Sequence, residues 1–191
     1  MQSPDDRRSE FSAEERTHLL HLAHESILSA LQSREIPLDP PTPHFSEPRG
    51  AFTTLYLHDR LRGCVGYVLP INSVYRAVAD TARAAAFEDN RFYPVTLDEA
   101  AQLKIELSIL SPPQPIKPEN IEIGRHGLLI SMAGYRGLLL PQVPIEHHWD
   151  RETFLDQTCR KAGLAPDAWR KGAIIEGFTA EVFGEKQQCA E

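Results

Sequence analysis

Residues 51–68 read AFTTLYLHDRLRGCVGYV. Two β-prone runs, AFTTLYL (51–57) and LRGCVGYV (61–68), flank His58-Asp59-Arg60, and the pattern predicts a β-hairpin with a three-residue tip. The second run is unusual for a strand. It sets Cys64 beside Arg62 and between Gly63 and Gly66. Glycine weakens a strand interior, so two of them around one thiol imply a bend or a close approach to the backbone.

Outward from this hairpin the chain alternates strands and helices. Ser12-Ala13-Glu14-Glu15 has the form of a capping box, and Leu19, Leu20, Ala23, Ile27, Leu28 and Leu31 follow at helical spacing, predicting a helix over 12–33. Prolines 37, 40, 41, 43 and 48 make 35–49 a loop. Ser73 opens a helix whose buried stripe is Val74, Ala77, Val78, Thr81, Ala82 and Ala85, ending near Asn90. Thr96 and Glu99 suggest a second capping box. LKIELSIL (103–110) alternates as a strand, and a second proline-rich connection follows. HGLLISM (126–132) and GLLLPQV (137–143) read as another hairpin. Asp150 caps a helix over 151–162 that Gly163 ends, and AIIEGFTAEVF (173–183) reads as one last strand. Hairpins separated by helices argue an α+β fold with mainly antiparallel sheets rather than a parallel series. The expected layout is a tail at 1–11, one domain over 12–186, and a tail at 187–191.

Hydrophobic residues are 41% and charged residues 25% of the 191, ordinary for a globular protein. Lys and Arg number 20 against 27 Asp and Glu, a net −7 that disfavours a nucleic-acid binder. Three cysteines, Cys64, Cys159 and Cys189, are too few and too scattered for a disulfide framework or a zinc site. With no apolar leader and no run long enough for a membrane span, the expected location is cytoplasmic.

In a strand without a bulge, Arg62 and Cys64 project together. A nearby cation favours the nucleophilic thiolate, whereas most cysteines simply pack as small hydrophobes. Nucleophilic cysteine chemistry needs a base, and among eight histidines His126, between glycines in Gly124-Arg125-His126-Gly127, is the candidate. His18, His21 and His24 lie on the first helix. Glu146-His147-His148 with Asp150 lacks metal-ligand spacing, so no metal is expected there. Cys159 falls on the helical stripe of Leu155 and Ala162 and is expected in the core. Asp89-Asn90-Arg91-Phe92-Tyr93-Pro94 joins a helix to a capping box, and Arg91 can grip a carboxylate or phosphate or else pair with Asp89. The candidate binding residues are thus Arg62, Gly63, Gly66, Arg91 and Phe92, with Gln142 of the LLLPQV stretch. No phosphate loop, dinucleotide fingerprint, serine elbow or iron–sulfur pattern occurs, and no cofactor is expected.

LRGCVGY, AAAFEDNRFYPVT, IELSILSPP, IGRHGLLI, LLLPQV, EHHWD and CRKAGL resemble, in order, the blocks of the AMMECR family, whose microbial members are called AmmeMemoRadiSam system protein A. The resemblance runs from about Gly50 to Glu185, departing at Tyr67 and Asn90, where threonine and proline are common. It implies an α+β fold with a larger and a smaller lobe and a cleft that includes Cys64 and His126. It also implies partnership with Memo-like and radical-SAM proteins. It names no reaction. Two hypotheses follow: an enzyme using Cys64 as nucleophile, His126 as base, and Arg62 and Arg91 to hold an anionic small molecule, or a non-catalytic module binding a ligand or partner. A nucleic-acid-associated role is disfavoured by the charge.

Overall fold

The computed structural model describes residues 10–185 and divides into two compact units. Unit 1 contains the described residues through Leu110 together with the strand from Glu181 onward, and unit 2 is Ser111–Ala180. Cys189 lies outside the described residues.

In unit 1, helix α1 (Ala13–Leu31) begins where the capping box requires. Ser12 Oγ accepts the Glu15 N–H and the Glu15 carboxylate accepts the Ser12 N–H. The hairpin follows as β1 (Gly50–Leu57) and β2 (Arg60–Tyr67). Its tip is two residues, not three: His58 and Asp59 both take positive φ, the geometry of a two-residue turn that matches strand twist. Helix α2 (Val74–Phe87) is capped by Ser73, α3 (Leu97–Ala100) by the Thr96–Glu99 capping box, and β3 is Lys104–Leu110. The sheet runs β2-β1-β3-β8, where β8 is Ala180–Gly184, with β1 antiparallel to both neighbours.

One face of this sheet is the core. Ala51, Thr53 and Leu55 of β1 and Ile105, Leu107 and Ile109 of β3 are buried with Val78, Ala82 and Ala85 of α2 and Leu19, Ala23 and Ile27 of α1. The small side chains of α2 let it approach the strands closely, and Thr53 and Thr81 hydroxyls hydrogen-bond across that seam at 2.8 Å. Phe11, placed in the tail on sequence grounds, is 1% exposed and stacks on His44 at 4.6 Å. Phe11 therefore packs with the core of unit 1. Sequence patterning finds helices by periodicity and cannot see a lone aromatic anchoring what precedes one.

Unit 2 holds the sheet β4-β7-β5-β6, formed by β4 (Gln114–Pro115), β5 (Gly127–Met132), β6 (Tyr135–Leu139) and β7 (Ile174–Phe178), all paired antiparallel. Helix α5 (Arg151–Lys161), capped by Asp150 and ended at Gly163, buries Phe154, Leu155 and Cys159 with Leu128 and Ile130. The helical turn α4 (Val143–Glu146) occupies ground assigned in part to a strand, because β6 stops at Leu139, short of Pro141. The single strand expected over 173–183 is two: β7 and β8 belong to different sheets and break at Thr179. Thr179 N–H donates to Ser111 Oγ and its carbonyl accepts the Ser111 N–H, so a reciprocal pair replaces ladder bonds there. Among the described residues, no helix is long and apolar enough to cross a membrane.

Candidate functional site

β2 is an edge strand, and its irregularity builds the site. Leu55 pairs with Gly63 and Tyr56 with Leu61, which leaves Arg62 as the extra residue of a β-bulge. The bulge cancels the simple parity that would set Arg62 beside the thiol. Arg62 instead makes a two-pronged ion pair with Glu99, Nε and Nη2 each donating at 3.0 Å, with its guanidinium 5.9 Å from the Phe92 ring centre. This bond from Arg62 first, then the Thr96 N–H, brings Glu99 down to about 2. The positive charge of Arg62 is committed to that pair.

The glycines make room for protein atoms. A Cβ on Gly63 would stand 2.1 Å from the Ala85 carbonyl oxygen of α2, and one on Gly66 would stand 2.1 Å from the Phe52 ring. Gly63 pairs with core-facing Leu55, and Cys64 therefore points to the opposite face with Thr54. There the Thr54 hydroxyl donates to Cys64 Sγ at 3.3 Å. Thr54 also pairs with Glu106 on β3, so the ladder sets a thiol, a hydroxyl and a carboxylate in one cross-strand row. Tyr56 is on the same face, its hydroxyl pushed up by burial first and then by the charges of Glu106 and Cys64.

The outer edge of β2 is closed at Cys64 by Asp89, just past the end of α2. One Asp89 carboxylate oxygen accepts the Cys64 N–H at 2.9 Å. The same carboxylate takes Arg91 Nε at 2.9 Å, Nη2 at 2.7 Å and the Arg91 N–H at 3.2 Å. These bonds from Arg91 first, then the Cys64 and Arg91 N–H groups, hold the buried Asp89 carboxyl well below the usual range despite the cost of burial. Arg91 is itself raised, by Asp89 chiefly and by Cys64 to a smaller degree. Arg91 is thus the arginine tied to the Cys64 segment, through Asp89; it remains half exposed and lies 5.5 Å from the Phe92 ring centre. Asp89 fixes both the strand backbone under the thiol and the cation beside it. Parity counting along β2 misses this, because the link comes from residues 25 and more positions onward; the acid-arginine-aromatic run after α2 is the only signal.

In unit 2, His126 closes a turn. Its Nδ1 accepts the Glu122 N–H at 3.0 Å, which places the proton of the neutral ring on Nε2. Burial, and then the charge of Arg125, lower its pKa. Its one basic nitrogen is therefore in use. Gln142 is exposed at the start of α4, where its carbonyl accepts the Ile145 and Glu146 N–H groups. Cys159 is fully buried and pushed up by burial, as a packing cysteine should be. His147 stacks on Trp149 at 4.7 Å. Among the described residues, ligand atoms of Glu10, His44 and Glu47 lie within 4.8 Å of one another, but both carboxylates already bind Arg49.

The folded chain is an α+β protein of two antiparallel units, one carrying a half-buried cysteine next to an acid-anchored arginine. The AMMECR1 family model matches residues 20–183, and the chain belongs to the AMMECR1 family. A protein of Methanosarcina barkeri is 42% identical over 182 residues, covering 89% of this chain and 90% of its own. One of Methanocaldococcus jannaschii is 42% identical over 188 residues, covering 93% and 94%. Among solved structures, that of an uncharacterized protein from Pyrococcus horikoshii is similar, with a TM-score of 0.69 at 40% identity, covering 88% of this chain and 90% of that one.

Proposed function

We propose that unit 1 carries a thiol-centred site for an anionic small molecule, with Cys64 as nucleophile or covalent carrier. One observation supports it above the others: Asp89 binds the Cys64 backbone and the Arg91 guanidinium with the same carboxylate. A thiol that receives a hydroxyl hydrogen bond and stands beside a cation has the surroundings of reactive rather than inert cysteines. Arg91 supplies planar donors for a carboxylate or phosphate. Phe92 gives a flat apolar wall under the guanidinium. Arg62 supports this loop through Glu99 rather than meeting the ligand. Nδ1 of His126 can act as a base only by releasing the Glu122 N–H. Cooperation with Memo-like and radical-SAM proteins in the cytoplasm belongs to the same proposal.

A second reading, a binding module without catalysis, is favoured by a specific fact. Among the described residues, the hydrogen-bond partner of Cys64 Sγ is a hydroxyl, and no base is bonded to it. Thermal-shift screening of carboxylates and phosphates against the protein, Cys64→Ser and Arg91→Ala separates the readings, with intact-mass spectrometry to detect adducts. An adduct on Cys64 that turns over supports catalysis. Stabilisation that survives Cys64→Ser and is lost in Arg91→Ala supports the module. Ligands indifferent to both substitutions refute the site.

A further inference from the structure

Beyond Cys64, the edge of β2 is open. The antiparallel ladder alternates, so Cys64, whose N–H goes to Asp89 instead of β1, marks the outward-facing positions. Gly66, two residues on with no register shift between, faces outward too, and its N–H and C=O have no partner among the described residues. Open strand edges are normally blunted by charge, proline or a cover. Here the last residues of the strand, Gly66-Tyr67, carry no charge; the chain runs on past it as Val68-Leu69, with the Leu69 carbonyl taken by the Ile71 N–H, and proline comes only at Pro70.

This edge forms one wall of a groove of about 670 Å³ inside unit 1, and the flank of α2 forms the other. Ala77, Asp80 and Arg83 line the helical wall, with Glu88 at its end. From Ala77 to Glu88 that wall extends about 16 Å at the helical rise, room for about five residues of strand. The strand side leaves large apolar groups in water: Tyr67 is 47%, Leu69 41% and Ile71 77% exposed. Arg83 makes no ion pair among the described residues, and Asp80 has only a 3.8 Å pair with Arg76. Unused backbone groups, apolar side chains and charges free to pair thus converge on one groove.

We propose that this groove takes an extended peptide segment of a partner protein, added as a strand to the edge of β2. The peptide backbone bonds the N–H and C=O of Gly66. Alternate side chains, apolar ones, enter between Tyr67, Leu69, Ile71 and Ala77, and an acidic group on the peptide meets Arg83. A strand beside a helix suits an extended occupant because only an extended chain presents backbone donors and acceptors to the strand.

The test is to pan a phage-displayed library of random decapeptides against the immobilised full chain and to measure the best synthetic peptide by fluorescence anisotropy. Leu69→Lys and Ile71→Glu, both at exposed positions that leave the core intact, should each weaken binding about tenfold or more, as loss of a buried apolar contact does. N-methylation of the one peptide residue that donates to the Gly66 carbonyl should abolish binding while its neighbours tolerate it, and the Gly66 amide should exchange more slowly with peptide bound. Cys64→Ser should bind the peptide normally, so this result and that of the thiol site fail separately. Enrichment no better than on bare support, affinities unchanged in both variants, or a flat N-methyl profile with apolar residues at helical spacing would each overturn the proposal.

Discussion

Gly63→Ala measures whether the paired glycines around Cys64 serve packing. The added methyl would stand 2.1 Å from the Ala85 carbonyl oxygen, against roughly 3 Å for the closest tolerable approach, so strand and helix must part by about 1 Å. Neither side yields cheaply. The obstacle is backbone inside α2, and retreat of α2 would stretch the Thr53–Thr81 bond and open the seam lined by Ala82 and Ala85. Overpacking of this kind costs about 1–3 kcal/mol. Removing a strand glycine returns about 0.5–1 kcal/mol of chain entropy. Because the clash is with main chain, the net should be about 2 kcal/mol of destabilisation, a fall in Tm of about 4–8 °C for a chain of this size. Both tryptophans, Trp149 and Trp169, belong to unit 2, so fluorescence follows the wrong unit. Far-UV circular dichroism and amide exchange at Leu55 and Ala85 follow the right one. Gly66→Ala is the comparison. Its obstacle is the Phe52 side chain, so Phe52→Leu should rescue it, while no side-chain change rescues Gly63→Ala. A Gly63→Ala protein within about 0.5 kcal/mol of the parent would refute the packing account and return the glycine to the ligand.

Cys64→Ser should melt close to the parent, since its hydroxyl can hydrate or take the Thr54 bond, whereas Cys159→Ser places a hydroxyl in a fully buried cluster at a cost of about 1–3 kcal/mol; differential scanning calorimetry ranks them, and the reverse order contradicts the assignment. Glu99 has its pKa depressed from 4.5 to about 2, so its pair with Arg62 stabilises above pH 4.5 and is lost as pH falls towards 2. Acid titration by circular dichroism should show a shallower decline in Glu99→Gln over that window, and parallel curves would contradict it. His126 is depressed too, so its neutral form holds the Glu122 turn at pH 7 and that hold fades as pH falls below 6.5. The Glu122 amide should exchange faster than intrinsic chemistry requires once the pH is far enough below 6.5 to protonate the ring, and His126→Ala should show that excess already at pH 7.

Legibility in the sequence followed the range of the interaction. Ser12 with Glu15 and Thr96 with Glu99 announce helix starts because a capping box closes within four residues. The Ala-rich stripe of α2 and the alternation of β3 were readable from periodicity for the same reason. The bulge at Arg62 was not, because it depends on the register against β1, and it redirected the very arginine that parity had placed beside Cys64. The division of 173–183 into two strands was hidden as well. Thr179 is a good strand residue, and only its exchange of bonds with Ser111, 68 positions earlier, breaks the run. At the candidate site Cys64, Arg91 and Phe92 were nameable as residue types, but Asp89 as the common anchor and Thr54 as the donor to sulfur required the fold.

In the proposed function, Arg91 makes the surroundings of Cys64 attractive to anions. The most direct measurement compares alkylation of Cys64 by iodoacetate, which is charged, with iodoacetamide, which is neutral, each rate referred to glutathione in the same tube. The folded protein should favour iodoacetate relative to glutathione, the preference should fall in Arg91→Ala, and added salt should weaken it. A rate ratio equal to that of glutathione, unchanged by Arg91→Ala, would contradict it.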